Sequence, residues 1–266
     1  RMSVRRVLAS LLALALVAPP LLLGMLSVAR QWRWPALWPT AWQVQQWHEV
    51  AGDLTGAGMM GALARSLALA LTVAVVATAL GLPTSRRVAG LPRRGAWLTA
   101  LHLPYALSPV VLAVGLLFAF LHLHLAGHLL GVLLAQLVFA YAYAVILLSA
   151  LWTPRVAALE DLASTLGARR LQVWWRVLVP VARPMLAVCL FQTFLISWFD
   201  YALVRLIGQG EVQTLTIRLF EYFTSGDLRL AATCALILMT PPLVTLLVHR
   251  AVPPSLLAPQ AGSSHE

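Results

Sequence analysis

Apolar residues in this chain gather into blocks rather than alternating with polar ones. The first runs over residues 7–28, and five more of similar length follow at 62–82, 96–121, 129–152, 184–207 and 230–249. A helix needs about 20 apolar residues to cross the roughly 30 Å hydrocarbon core of a bilayer. Each block is therefore predicted to be a membrane-crossing helix, and the chain an all-α integral membrane protein with six transmembrane helices. Residues 1–252 form one membrane domain in this reading. The polar tail at 253–266, PPSLLAPQAGSSHE, is expected to be disordered.

Composition agrees. The chain is 61% hydrophobic and 11% charged, with a mean hydropathy of +0.84, whereas a soluble domain carries about 25% charged residues. The net charge of +10 comes from 19 arginines and no lysine. On a soluble protein such an excess would point to nucleic acid, but here the arginines lie between apolar blocks, where basic residues hold loops on the cytoplasmic side. Nucleic acid is thus not an expected partner. With the N-terminus inside, Arg1, Arg5, Arg6, Arg86, Arg87, Arg93, Arg94, Arg155, Arg169, Arg170, Arg176, Arg183 and Arg250 fall in the cytoplasm. Arg30, Arg33, Arg65, Arg205, Arg218 and Arg229 fall outside. This bias predicts that both termini are cytoplasmic. The missing lysine also excludes a Walker A loop and Schiff-base chemistry. If ATP drives this protein, another chain binds it.

Arg5-Arg6, a leucine-rich core and Ser27-Val28-Ala29 have the layout of a signal peptide. The apolar run is nearer 20 residues than the 7–15 of a signal core, so a retained helix is expected. The external segment that follows holds Trp32, Trp34, Trp38, Trp42 and Trp47, which reads as an aromatic belt at headgroup level rather than a ligand platform. Cys189 and Cys234 fall in different apolar blocks, towards opposite membrane faces, and read as packing residues. His122, His124 and His128 share a short external loop. Three histidines can ligate zinc or nickel, but no neighbouring cysteine or carboxylate completes a site, so no metal is assigned.

One long polar stretch interrupts the apolar pattern halfway along. Thr153-Pro154 is a helix start, with Thr as cap and Pro at the first helical position. Val156, Leu159, Ala163 and Leu166 then recur at spacings of three and four, and Gly167 supplies a stop. Leu171, Trp174, Trp175 and Leu178 form a second short pattern, which Pro180 is expected to break before Pro184 opens the fifth span. The prediction is helix, sharp turn, helix at the cytoplasmic surface. Glu160 and Asp161 on its polar side would be repelled by anionic lipid, so a groove on a partner protein suits it better than the bilayer.

This segment resembles the EAA loop of permease subunits of ABC importers: Glu-Ala-Ala, three residues, Gly, nine residues, then Ile-x-Leu-Pro. Asp161-Leu162-Ala163 stands at the Glu-Ala-Ala positions, Gly167 follows three residues later, and Val177-Leu178-Val179-Pro180 closes the pattern. Six spans with the loop between the fourth and fifth extend the likeness to a type I importer permease over nearly the whole chain. The resemblance implies a subunit of an ATP-driven uptake system in a bacterial inner membrane, with no cofactor and no catalysis of its own. Its implied partners are cytoplasmic ABC ATPase subunits, a second permease subunit (identical or not), an extracytoplasmic substrate-binding protein and membrane lipid. Glu160 to Ala163, Gly167, Val177, Val179 and Pro180 would form the loop that couples to the ATPase.

Thr193, Ser197 and Asp200 lie at i, i+4 and i+7 in the fifth block, a polar stripe in an apolar span. Buried polar groups in membranes mark pathways, so this stripe is a candidate lining for translocation, with Asp200 suited to a cation. The stretch from Ser197 through GQGEVQTLTIRLF resembles importers for polyamines, thiamine or ferric iron. A secondary transporter driven by an ion gradient is the alternative. It needs intramembrane carboxylates, of which Asp200 alone qualifies, and it leaves the central loop without a role. A membrane-embedded enzyme would need His-Glu-x-x-His or paired aspartates within the spans, and neither occurs.

Overall fold

A computed structural model of the chain describes residues 4–32, 38–39, 41–43, 47 and 58–251. Trp34 and the predicted tail at 253–266 lie outside the described residues. The chain divides into two compact units, Glu49–Arg218 and the two flanking segments Arg1–His48 with Leu219–Glu266.

In the flanking unit, helix α1 (Val4–Val28) packs against the last helix, α12 (Leu228–Ala251). Both are apolar enough to cross a membrane. A short antiparallel pair, β1 (Ala29–Gln31) and β2 (Ala41–Trp42), follows α1, a minor addition to an otherwise helical fold. Trp38 and Trp42 are exposed there.

The larger unit is built on α2 (Met59–Ala89), which packs against α6 (Leu129–Ser149) and α9 (Val179–Trp198). Lipid tails are as apolar as leucine, so membrane helices associate chiefly through close packing of small residues. Ala70, Ala74 and Ala77 are fully buried on one face of α2, and Gly81 continues the row. A Cβ on Gly81 would lie 2.7 Å from Ala144 Cβ and 3.3 Å from its carbonyl carbon. Only glycine lets α2 and α6 approach this closely.

Two of the predicted spans are interrupted. The block at 96–121 is not one helix but three: α3 (Arg94–Leu101), α4 (Leu103–Ala106) and α5 (Pro109–His122). Leu107 and Ser108 are extended, with ψ of 146° and 140°. Pro109 disfavours a helical residue before it and is itself suited to a helix start. At 14 residues α5 is about 21 Å long, short of a full crossing.

The block at 184–207 also differs. α9 ends at Trp198, and α10 (Ala202–Ile207) begins after a break at 199–201. At its other end, the chain runs without interruption from α8 (Arg170–Val173) through a π-turn (Trp174–Leu178) into α9. Pro180 therefore does not end a helix, and Pro184 lies inside one. A proline ring collides with the carbonyl four residues back and offers no N–H. The π-turn just before Pro180, in which Val179 N–H bonds to Trp174 O, widens the helix where that collision would fall. The remaining helices are α7 (Pro154–Thr165) and α11 (Leu215–Thr224).

Candidate functional site: the α7–α8 hairpin and the break at Asp200

The first helix of the hairpin begins and ends as the sequence predicts. Thr153 is extended, and its Oγ1 accepts a hydrogen bond from Val156 N–H at 3.4 Å, closing the first turn of α7. At the other end Gly167 adopts φ of +82°. Gly167 N–H bonds to Ser164 O at 3.0 Å and Ala168 N–H to Ala163 O at 3.1 Å, the paired closure of a Schellman motif. No neighbour lies within 4 Å of a Cβ built on Gly167, so it is φ, not space, that demands glycine there.

Which face of α7 looks inward differs from the predicted stripe. Val156 is buried with Val173 and Leu178, and Ala163, Ala168 and Val177 pack around them. Leu159 and Leu166, expected on the same stripe, are exposed instead. Leu166 reaches 80% exposure, and Leu162 beside it 58%. The helix is short and its inner side closes over a small cluster, so two positions suffice. Asp161, Leu162 and Leu166 thus form an outward face, part apolar and part acidic. Val179 packs against the main core, and Pro180 is half-buried.

Glu160 does not belong to that outer face. Its carboxylate is paired with the Arg86 guanidinium near the end of α2. The same guanidinium lies over the Trp152 ring, 5.2 Å from its centroid. Trp152 Nε1 donates to Ser85 Oγ at 2.9 Å, and its ring meets Trp174 edge-on at 6.3 Å. These contacts tie both arms of the hairpin to the central helix of the core. Neither Arg86 nor Trp152 stood out in the sequence, because their partners lie 74 and 67 residues away.

Asp200 sits in the break between α9 and α10 rather than on a continuous helix. Its Oδ1 accepts from Leu203 N–H at 3.4 Å and its Oδ2 from Val204 N–H at 3.3 Å, so it caps α10. Gln136 Nε2 of α6 donates to Oδ2 at 2.9 Å, while Gln136 Oε1 accepts from Ser197 Oγ at 2.6 Å. Ser197, Gln136 and Asp200 therefore form one chain of hydrogen bonds across two helices. Thr193 is fully buried and its hydroxyl donates back to Cys189 O at 2.8 Å, within its own helix. Asp200 borders a cavity of about 120 Å³, which it shares with Pro109, Gln136, Phe139, Ile196 and Leu203. Gln136, a lone amide in the fourth apolar block, was the signal that sequence reasoning passed over.

His122, His124 and His128 are exposed, and the His122 ring bonds to Phe118 O at 2.8 Å. Among the described residues no three His, Cys, Asp or Glu side chains gather closely enough to hold a metal ion. Cys189 and Cys234 are buried free thiols.

A family model for the binding-protein-dependent transport system inner membrane component matches residues 77–257, a stretch that takes in both the hairpin and Asp200. The chain belongs to this family. The permease is 29% identical over 222 residues to the molybdenum transport system permease protein ModB of Mycobacterium bovis (strain ATCC BAA-935 / AF2122/97), with 76% of this chain and 80% of that protein covered. The same values hold for ModB of Mycobacterium tuberculosis (strain ATCC 25618 / H37Rv). In fold, the permease matches a chain from the crystal structure of a bacterial ABC transporter involved in the import of the acidic polysaccharide alginate. The TM-score is 0.65 at 16% identity, covering 93% of this chain and 94% of the other. The protein is accordingly an inner-membrane ABC import permease of the type I fold, a transport component rather than a catalytic subunit.

Proposed function

We propose that the permease forms half of a translocation pathway and receives mechanical work from a separate cytoplasmic ATPase through the hairpin at 153–180. The observation that carries this is the division of α7 into two faces. Its inner face is fastened to α2 through Glu160–Arg86 and to the Val156 cluster, while Asp161, Leu162 and Leu166 are left outward. An exposed, capped helix with a mixed apolar and acidic face suits a groove on a partner protein. Its attachment to α2, the most extensively packed helix of the core, would pass a displacement into the bundle. A rigid lever on an element with two arrangements is what such a switch requires.

In this reading both termini and the hairpin are cytoplasmic, a binding protein delivers substrate from outside, and a second permease subunit completes the path. Asp200 and Gln136 are the polar groups that would meet substrate, with Ser197 of α9 bonded to Gln136 and Thr193 one turn before it on the same helix. The relatives named for molybdenum transport make molybdenum the first substrate to test, by cell-associated metal with and without this gene.

Affinity purification of the permease tests the docking face. Asp161→Arg and Leu162→Glu are expected to leave a stable membrane protein that no longer retains its ATPase. Full retention in both variants, with normal transport, would remove the docking role.

A further inference from the structure

Beside the root of the hairpin lies a large groove, separate from the outward face of α7 and from the Asp200 cavity. It encloses about 940 Å³ between α2 and the α8–α9 arm, with Val75, Ala79 and Pro83 on one wall and Trp174, Trp175 and Leu190 on the other. Thr78 also lines it, but its hydroxyl donates to Cys189 Sγ at 3.6 Å. From Val75 to Pro83 the groove follows α2 for about 12 Å at 1.5 Å per residue. That is most of the roughly 15 Å depth of one membrane leaflet. Its apolar walls suit a hydrocarbon chain.

The mouth of the groove has a different chemistry. A smaller pocket, lined by Arg169, Gln172 and Arg176, shares Leu171 and Trp175 with the groove. Both arginines are exposed, and among the described residues neither takes part in an ion pair. Gln172 Oε1 accepts from Arg169 N–H at 2.9 Å, which leaves its amide hydrogens for an anion. Trp175 is 67% exposed beside them, the kind of residue that settles at headgroup level. Basic pockets between membrane helices bind anionic headgroups.

We propose that this groove binds an anionic phospholipid, its acyl chain between α2 and α9 and its phosphate held by Arg169 and Arg176. A second copy of this chain is the poorer occupant. The acidic residues of the hairpin are Glu160 and Asp161, and Glu160 is already paired with Arg86, so the hairpin of a copy offers only Asp161 to meet two arginines. The bound lipid braces the π-turn and thereby the arm of the hairpin that α7 folds back upon.

The test uses the purified full-length permease, stripped of lipid in a neutral detergent. Native mass spectrometry then counts bound phosphatidylglycerol and phosphatidylcholine at equal concentrations. Wild type is expected to prefer phosphatidylglycerol. Each arginine near an anionic surface is worth about 1 kcal/mol, so Arg169→Gln with Arg176→Gln should lower phosphatidylglycerol affinity roughly 10- to 30-fold and leave phosphatidylcholine unchanged. Ala79→Trp, at an exposed position in the wall, should exclude both lipids. Equal phosphatidylglycerol binding by the double arginine variant overturns the proposal. So does a disulfide between two permease copies through a cysteine at position 79, with Cys189 and Cys234 replaced, since a second copy then fills the groove. Loss of the ATPase from the double variant with lipid binding intact would assign the arginines to the ATPase instead.

Discussion

Breaking the Arg86–Glu160 tie should loosen the hairpin without unfolding the bundle, and the structure sets the size of the effect. The two side chains are 35% and 26% exposed, so solvent screens the pair and its contribution is about 1 kcal/mol. The guanidinium over Trp152 adds about 0.5–1 kcal/mol. Arg86→Ala removes both, about 1.5–2 kcal/mol, which is roughly a 10- to 30-fold rise in the population of undocked hairpin. Val156, at 8% exposure in the cluster under α7, reports that population. In a chain whose Cys189 and Cys234 are replaced, Val156→Cys should react with a maleimide at a rate proportional to opening. Arg86→Ala should speed the reaction by the same roughly 10- to 30-fold. The swap Arg86→Glu with Glu160→Arg rebuilds the ion pair but not the contact with Trp152, so it should recover about half of the free energy. A change below about twofold in Arg86→Ala would refute the claim that this contact fastens the lever.

Three further outcomes follow from other parts of the structure. Gly81→Leu forces α2 away from Ala144, an overpacking cost of about 1–3 kcal/mol, and should lower the Tm of the purified permease well below that of Gly81→Ala. Asp200→Ala loses the α10 cap and leaves Gln136 Nε2 without its partner, together about 2–4 kcal/mol, whereas Asp200→Asn keeps one accepting oxygen and should lower Tm less. Any loss of uptake in the Asn variant would then report on the carboxylate charge in transport. For topology, single cysteines at exposed Leu166, His124 and Ser225 are labelled in intact cells by a membrane-impermeant reagent. Position 166 should be protected and the other two should react, and the reverse pattern would invert the orientation.

The helical blocks were legible because a bilayer demands long apolar runs, and four of the six correspond to single long helices. The breaks were not, because hydropathy is blind to backbone geometry inside an apolar run. Their signals were present: Ser108-Pro109 is a cap followed by a first-turn proline, and Asp200 precedes the short apolar stretch of α10. Reading Asp200 as one of a helical stripe missed the break at 199–201, where its oxygens accept from Leu203, Val204 and Gln136. The hairpin was legible for the opposite reason. Its cap at Thr153 and its turn at Gly167 are local devices set by a few adjacent residues. What fastens it, Arg86 over Trp152 and against Glu160, depends on residues brought together by the packing of α2 and so left no local pattern.

The most direct test of coupling is binding-protein-stimulated ATP hydrolysis, measured together with uptake in vesicles that hold the permease with its ATPase. Gly167→Val is the variant to use. It leaves the docking face of α7 untouched and meets no neighbour, yet its φ of +82° is hostile to a β-branched residue, at a cost of about 1–3 kcal/mol. The turn should shift and the lever should point elsewhere. Gly167→Asn tolerates that backbone and is the control. The expected result is wild-type behaviour for Asn, and for Val an intact permease whose hydrolysis no longer responds to loaded binding protein and whose uptake is lost. Wild-type stimulation and uptake in Gly167→Val would contradict transmission through this hairpin.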